Sequence, residues 1–256
     1  NPSAAGTGTI VDNDGPPAIT IDDVTRNEGA GTITFTVTLD APSALAVSVD
    51  YATVAGTATG ADYAAGVDGL SGTLSFAAGV TSQTITLAIV DDAVFEASES
   101  FVINLSNAVN AAIGDGQGVG TIRDDGTGGG GTDDDTPSLS VSGAAVIEGT
   151  DNFAVFTVSL SNASTSDVSF NLALANSTAL GGGVDYGTGG AGNLQVFVGG
   201  VWVDAASATI AAGQTSVQVR TPVSDDLLDE SSETFTLTAA VTAGTTSNAS
   251  AAGTGT

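Results

Sequence analysis

Two acidic stretches hold most of the chemistry available to this 256-residue chain: IVDDAVFEASESF at 89–101 and PVSDDLLDESSETF at 222–235. All six glutamates lie in or beside motifs that occur twice, Glu28, Glu96 and Glu99 in one copy and Glu148, Glu230 and Glu233 in the other. Cys, His, Met and Lys are absent, and the basic side chains are Arg26, Arg123 and Arg220. Zinc sites and thiol or imidazole nucleophiles are therefore excluded, as are disulfides. Carboxylate oxygens leave two chemistries open. They can hold hard cations, or a pair of them can hydrolyse a glycosidic bond. Because one set of acids recurs in each copy and nothing in the sequence indicates a cleft, the enzyme reading is set aside and no catalytic residue is assigned.

The charge balance narrows the partners. Three basic against 29 acidic residues give a formal net charge of -26. Such a surface repels phosphate backbones and anionic lipid heads, which excludes nucleic acid and polybasic membrane binding. No run of 18 apolar residues is present, so membrane insertion is not expected. Yet 41% of residues are hydrophobic and only 12% charged, which is enough to build a core. No signal-peptide pattern opens the chain. The absence of Met leads us to expect that it starts inside a longer polypeptide.

The elements that must position these acids are strands. Apolar residues alternate with polar ones over 32–39, 84–89, 101–105, 156–160, 168–174 and 217–219. Period two buries one face of a strand and wets the other. Thr, Val, Ile and Phe dominate these runs. No helical stripe is found. Seven or eight short strands in each stretch of about 110–120 residues predict an all-β fold of two tandem immunoglobulin-like Greek-key β-sandwiches.

A Gly/Asp-rich linker divides them. The run at 124–135 reads as unable to bury anything and flexible by itself. The expected layout is a first sandwich at 16–125, a linker at 126–136 and a second sandwich at 137–256. The halves are diverged copies: NEGAGTITFTVTL (27–39) aligns with IEGTDNFAVFTVSL (147–160), and ADY (61–63) with VDY (184–186). The second copy has an insertion near 187–205 carrying the single tryptophan, Trp202. NPSAAGTGT at 1–9 nearly repeats NASAAGTGT at 248–256. Residues 1–15 are therefore expected to be the last strand and acidic tail of a preceding repeat. Donor-strand exchange between separate subunits stays open as an alternative.

In the first copy Glu28, Asp62, Asp91, Asp92, Glu96, Glu99, Asp124 and Asp125 fall at loops and strand ends that can converge on one pole of a sandwich. Carboxylates gathered there repel one another, and three arginines cannot neutralise them. A divalent cation can. Oxygen ligands without nitrogen or sulfur favour Ca2+. Lone acids such as Asp40, Asp50, Asp115, Asp167 and Asp204 read as turn and surface residues. Asp22 and Asp23 are intermediate.

The motifs NEG, GTATGADY, GTLSFAAGVTSQTITLAIVDDAVFEASESFVINLSN and GTIRDD resemble the Calx-beta domain, over essentially all of 17–125. The resemblance implies an immunoglobulin-like sandwich with calcium at one pole. Its implied ligands are Glu28, Asp62, Asp91, Asp92, Glu96, Asp124 and Asp125, with Glu99 bracing the turn. The second copy resembles the family more weakly and is also similar to repeats of large secreted bacterial adhesins. Carried over there, the ligands are Glu148, Asp185, Asp225, Asp226 and Glu230, with Asp229 and Glu233 nearby. Asp12 and Asp14, with Asn13, would complete the cluster of the preceding repeat.

The function expected is a calcium-rigidified structural repeat of a long adhesin or surface filament. Its partners would be neighbouring repeats and other cells or surfaces, and its setting extracellular, at a bacterial surface or secreted. Recognition of a glycan or other ligand through Trp202 and the insertion is the alternative.

Overall fold

The computed structural model describes residues 6–11, 13–63, 70–124, 135–187, 194–227 and 229–256. Asp12, Asp125 and most of the expected linker lie outside the described residues. The chain forms two compact units. One comprises Asn1–Val90 and Ser98–Arg123, the other Asp91–Ala97 and Asp124–Thr256. The second unit thus takes in the acidic turn 91–97.

The first unit is built from β1 (Ala18–Ile21), β2 (Val24–Asn27), β3 (Thr32–Leu39), β4 (Val47–Ala55), β5 (Ser71–Phe76), β6 (Ser82–Ala88), β7 (Glu99–Val109), β8 (Ala112–Ile113) and β9 (Gln117–Arg123). One sheet runs β6-β3-β1-β8 and the other β2-β9-β7-β4-β5. The expected alternation is seen directly: Ile33, Phe35, Val37 and Leu39 of β3 point into the core and the threonines between them point out. Phe35 meets Phe101 edge-on at 5.9 Å, and Tyr63 stacks on Phe101 at 4.6 Å.

The second unit repeats this plan. It contains β10 (Leu139–Val141), β11 (Phe153–Leu160), β12 (Val168–Asn176), β13 (Gln195–Val198), β14 (Val201–Asp204), β15 (Ser207–Ile210), β16 (Ser216–Pro222), β17 (Phe235–Ala243) and β18 (Ser250–Gly255). Its sheets run β10-β11-β16-β13-β14 and β15-β12-β17-β18. The same aromatic triad recurs, with Phe156 edge-on to Phe235 at 5.8 Å and Tyr186 stacked on Phe235 at 4.1 Å. Both units are β-sandwiches of the expected class, with no α-helix among the described residues.

One feature of each unit goes beyond strand periodicity. The first strand serves both sheets. β1 runs antiparallel to β3, and after Asp22-Asp23 the chain continues as β2, parallel to β9. The two aspartates fasten the crossing. Asp22 Oδ1 accepts from Thr36 N at 2.6 Å in one sheet, and Asp23 Oδ1 accepts from Val119 N at 2.7 Å in the other. In the second unit Ser142 Oγ accepts from Thr157 N at 2.8 Å, and Ala144 then pairs in parallel with Gly255. The lone acids Asp40 and Asp167 likewise accept main-chain N–H groups, from Ala18 and Ala212. Asp204 accepts from the Gln195 side chain, and Asp50 from those of Thr73 and Asn107.

The 187–205 insertion supplies the β13–β14 hairpin, turning at Gly199 and Gly200, whose φ values of 59° and 89° suit glycine. Trp202 lies against Phe197 at 5.1 Å, and the Arg220 guanidinium sits 4.3 Å from its ring. The same guanidinium lies 3.7 Å from the Phe153 ring, and Arg220 Nε donates to Gln195 Oε1 at 2.8 Å. Asp135 departs from the linker expectation. It is buried, 7% exposed, and its main-chain oxygen accepts from Asn162 Nδ2.

The triads make a test. Phe235→Ala removes the ring that both Phe156 and Tyr186 contact. It should cost about 3–5 kcal/mol of stability, read as a lower denaturant midpoint of Trp202 fluorescence. An unchanged midpoint would show that the triad does not hold this core.

Candidate metal centres

Among the described residues, one group of three close acids falls within a single unit, the second. Asp185, Glu230 and Glu233 each bring a carboxylate oxygen within 4.8 Å of the others. Glu148 and Asp229 join them in lining an open cleft of about 420 Å³, with Tyr186 and Phe235 among its walls. A cleft at these acids was not expected from the sequence.

Local structure explains why the acids meet there. Asp185 precedes Tyr186, whose ring is fixed on Phe235 and whose hydroxyl donates to Asn176 Oδ1 at 2.6 Å. Tyr186 also bridges to Val223. The Asp185 carbonyl accepts from Ser224 N at 3.0 Å, which brings the start of the acidic turn alongside. Asp185 Oδ2 accepts from Leu180 N at 2.6 Å. Across the turn, Glu148 Oε1 accepts from Asp226 N at 2.9 Å. Gly149, at φ 71°, lets the chain pass Asp225: a Cβ on it would lie 3.0 Å from Asp225 Oδ1.

The first unit repeats the tether. Asp62 precedes the stacked Tyr63, Tyr63 bridges to Ile89, and the Asp62 carbonyl accepts from Val90 N at 2.9 Å. The Asp62 carboxylate accepts from Thr59 N at 2.6 Å and from Thr59 Oγ1 at 3.0 Å. Glu99, which opens β7, brings a carboxylate oxygen within 4.8 Å of one on Asp62. Glu28 sits on a single 3-10 turn, Glu28–Ala30, and is buried, 4% exposed. Within the second unit, Asp124 Oδ2 accepts from Glu96 N at 2.6 Å, and Asp124 lies within the same 4.8 Å distance of Asp135. Asp92 Oδ1 accepts from Val94 N at 2.8 Å.

Asp91, Asp92, Asp225, Asp226 and Asp14 enter no group of three acids this tight among the described residues, and Asp12 and Asp125 lie outside those residues. Sequence reading passed over Asp135, because a Gly/Asp run carries no periodicity to mark its last residue as buried. It also gave Glu99 and Glu233 secondary roles, although both stand among the grouped carboxylates.

Crowding alters proton affinity. Glu233 is held above the ordinary carboxylate range, first by removal from water, then by its hydrogen bond with Asp185 and the charges of Asp185, Glu230 and Glu148. Glu230 is raised first by removal from water, then by Asp185, Asp226 and Glu148. Tyr186 is raised by burial and then by Asp185.

A carboxyl that is raised on folding binds more protons folded than unfolded, so stability must fall as pH rises above the unfolded value, about 4.5. In chelator, the melting temperature of the second unit should therefore climb as pH is lowered from neutral toward 4.5. Glu233→Gln should flatten that slope. Melting curves at stepped pH, read by Trp202, check this, and a wild-type slope of opposite sign would refute it.

A search of curated proteins gives no match. Among solved structures, the crystal structure of the apo-form Calx CBD1 domain is 28% identical, covering 41% of this chain and 96% of that one, with a TM-score of 0.37. CBD12 from CALX1.2 is 18% identical, covering 87% and 79%, with a TM-score of 0.40. The calcium binding domain CBD12 of CALX1.1 is 21% identical, covering 86% and 78%, with a TM-score of 0.38. The Calx-beta domain profile matches residues 12–126 and again 132–203, the second stretch ending before the acidic run at 222–235, and the chain belongs to the Calx-beta family.

Proposed function

We propose that the chain is a calcium-binding, non-catalytic structural segment of a long extracellular or surface protein. The observation that carries this reading is the group Asp185, Glu230 and Glu233. Three carboxylates share one open cleft, two of them hold their protons too tightly, and the Arg220 guanidinium is engaged by Phe153 and Trp202. An oxygen-only donor set around an open cleft fits a hard cation that takes six to eight oxygens at variable geometry. Such an ion relieves the repulsion that the fold imposes.

In this reading Asp185 and Glu230 hold calcium together with Glu148, Asp225 and Asp226, and Glu233 completes the group. In the first copy the ligands are Glu28, Asp62, Asp91, Asp92, Glu96, Asp124 and Asp125. Asp12 and Asp14 would serve a preceding repeat. Calcium bound only by the folded state adds stability by mass action, about 2.7 kcal/mol at a free concentration one hundred times Kd. The same ion pins the chain where the first copy ends, so joints between repeats stiffen. Calcium outside cells is abundant enough to fill weak sites, which fits an adhesin or surface filament. No helix among the described residues is long and apolar enough to cross a membrane.

Calcium should raise the melting temperature of the chain and EDTA should reverse it. Titration calorimetry should show binding that Asp185→Asn with Glu230→Gln weakens at least tenfold, and small-angle scattering should show more extended dimensions with calcium. If neither melting temperature nor dimensions respond to EDTA, the proposal fails.

A further inference from the structure

Residues 3–9, SAAGTGT, repeat residues 250–256 letter for letter. In the second copy this sequence is β18, and its glycines are obligatory. Gly253 and Gly255 are buried: a Cβ on Gly253 would run into the Ser142 carbonyl oxygen, and one on Gly255 into the Phe235 ring. The first unit uses the same device. A Cβ on Gly118 would stand 2.6 Å from the Asp22 carbonyl oxygen, and one on Gly120 2.5 Å from Phe101 Cζ. Two residues further on, Ile122 is buried, 4% exposed.

Gly8-Thr9-Ile10 aligns with Gly120-Thr121-Ile122. Its surroundings are the opposite. Gly6 and Gly8 have nothing within 4 Å of a Cβ position, residues 6–11 have no strand partner among the described residues, and Ile10 and Val11 are 99% and 81% exposed. Two glycines that no neighbour requires, followed by two bare aliphatic residues, form a strand sequence without its groove.

We propose that residues 6–11 are the last strand of a sandwich belonging to another copy of this two-module unit. In that copy Gly8 lies beneath the phenylalanine equivalent to Phe235, and Ile10 enters the core. Main-chain pairing supplies affinity, and the two glycines supply selectivity, because a side chain at either position cannot pass. The recognition chemistry is the same whether the copy lies upstream in one polypeptide or on a separate chain.

Gly255→Val tests this in the full chain. Valine at 255 cannot pack beneath Phe235, so β18 should leave and open its groove to residues 6–11 of a second molecule. Sedimentation should then show concentration-dependent head-to-tail oligomers, and adding Gly8→Val should restore the monomer. A Gly255→Val chain that stays monomeric, or one that still assembles with Gly8→Val, overturns the proposal. Should Gly255→Val disturb folding, a synthetic peptide of residues 1–15 added to it should raise the melting temperature read by Trp202. The Gly8→Val peptide should not, and equal responses or none overturn the proposal. The wild-type chain separates the sources. Assembly of wild type points to separate molecules, whereas a monomeric wild type beside an assembling Gly255→Val points to an upstream copy in one polypeptide.

Discussion

A buried tyrosine stacked on a phenylalanine organises the acidic end of each sandwich. Tyr63 lies on Phe101 and Tyr186 on Phe235, with ring centroids 4.6 and 4.1 Å apart. The residue before each tyrosine is an aspartate. Once the ring is fixed, that carboxylate has little choice of place. The same aspartate offers its carbonyl to the residue that leads into the acidic turn, Val90 in one unit and Ser224 in the other. A core contact and one main-chain hydrogen bond therefore set two parts of a charged site that lie about 30–40 residues apart in sequence.

This arrangement holds because core packing outweighs surface repulsion. Burying an aromatic side chain contributes about 1.5–3 kcal/mol, and a favourable ring pair about 0.5–1.5 kcal/mol more. Two carboxylates 4 Å apart in water repel by about 1 kcal/mol. The triad of Phe156, Tyr186 and Phe235 can therefore hold Asp185, Glu230 and Glu233 together without a counter-ion, at a cost that appears in the raised proton affinities of Glu230 and Glu233. The site is strained electrostatically, not sterically. Protons relieve it at low pH, and in the proposed reading a divalent cation does so at neutral pH.

Much of this could be read from residue order. Alternation in TITFTVTL and FAVFTVSL located the core phenylalanines Phe35 and Phe156, and the duplicated acid motifs located the charged ends. What could not be read depends on long-range pairing. Nothing local in Asp22-Asp23 says that one carboxylate caps a strand of each sheet, because that follows only once Thr36 and Val119 are in place. The two-residue strand β8 exists only through its pairing with β1. Asp135 ends a run whose composition signals solvent, yet Asn162 reaches its main chain and it is buried. The cleft had no signature either, since it is the space left between Asp185 and the turn after β16.

The fate of Arg220 bears on the electrostatics of the acidic cleft in the second unit. A guanidinium in a chain of net charge -26 has many carboxylates to choose from. Here it lies between the rings of Phe153 and Trp202, with Nε turned to Gln195. Cation–π attraction of this kind is worth about 0.5–2 kcal/mol, comparable to an exposed ion pair, and it also covers aromatic surface. The insertion that brings Trp202 therefore gives the cation a partner other than the carboxylates. One face of Trp202 is occupied in the process and Phe197 leans on the ring, so its first role is to pack this sheet, before any recognition of a ligand. The acidic cleft and the aromatic hairpin thus belong to one electrostatic arrangement, in which the arginine is held by aromatic rings rather than by the carboxylates of the cleft.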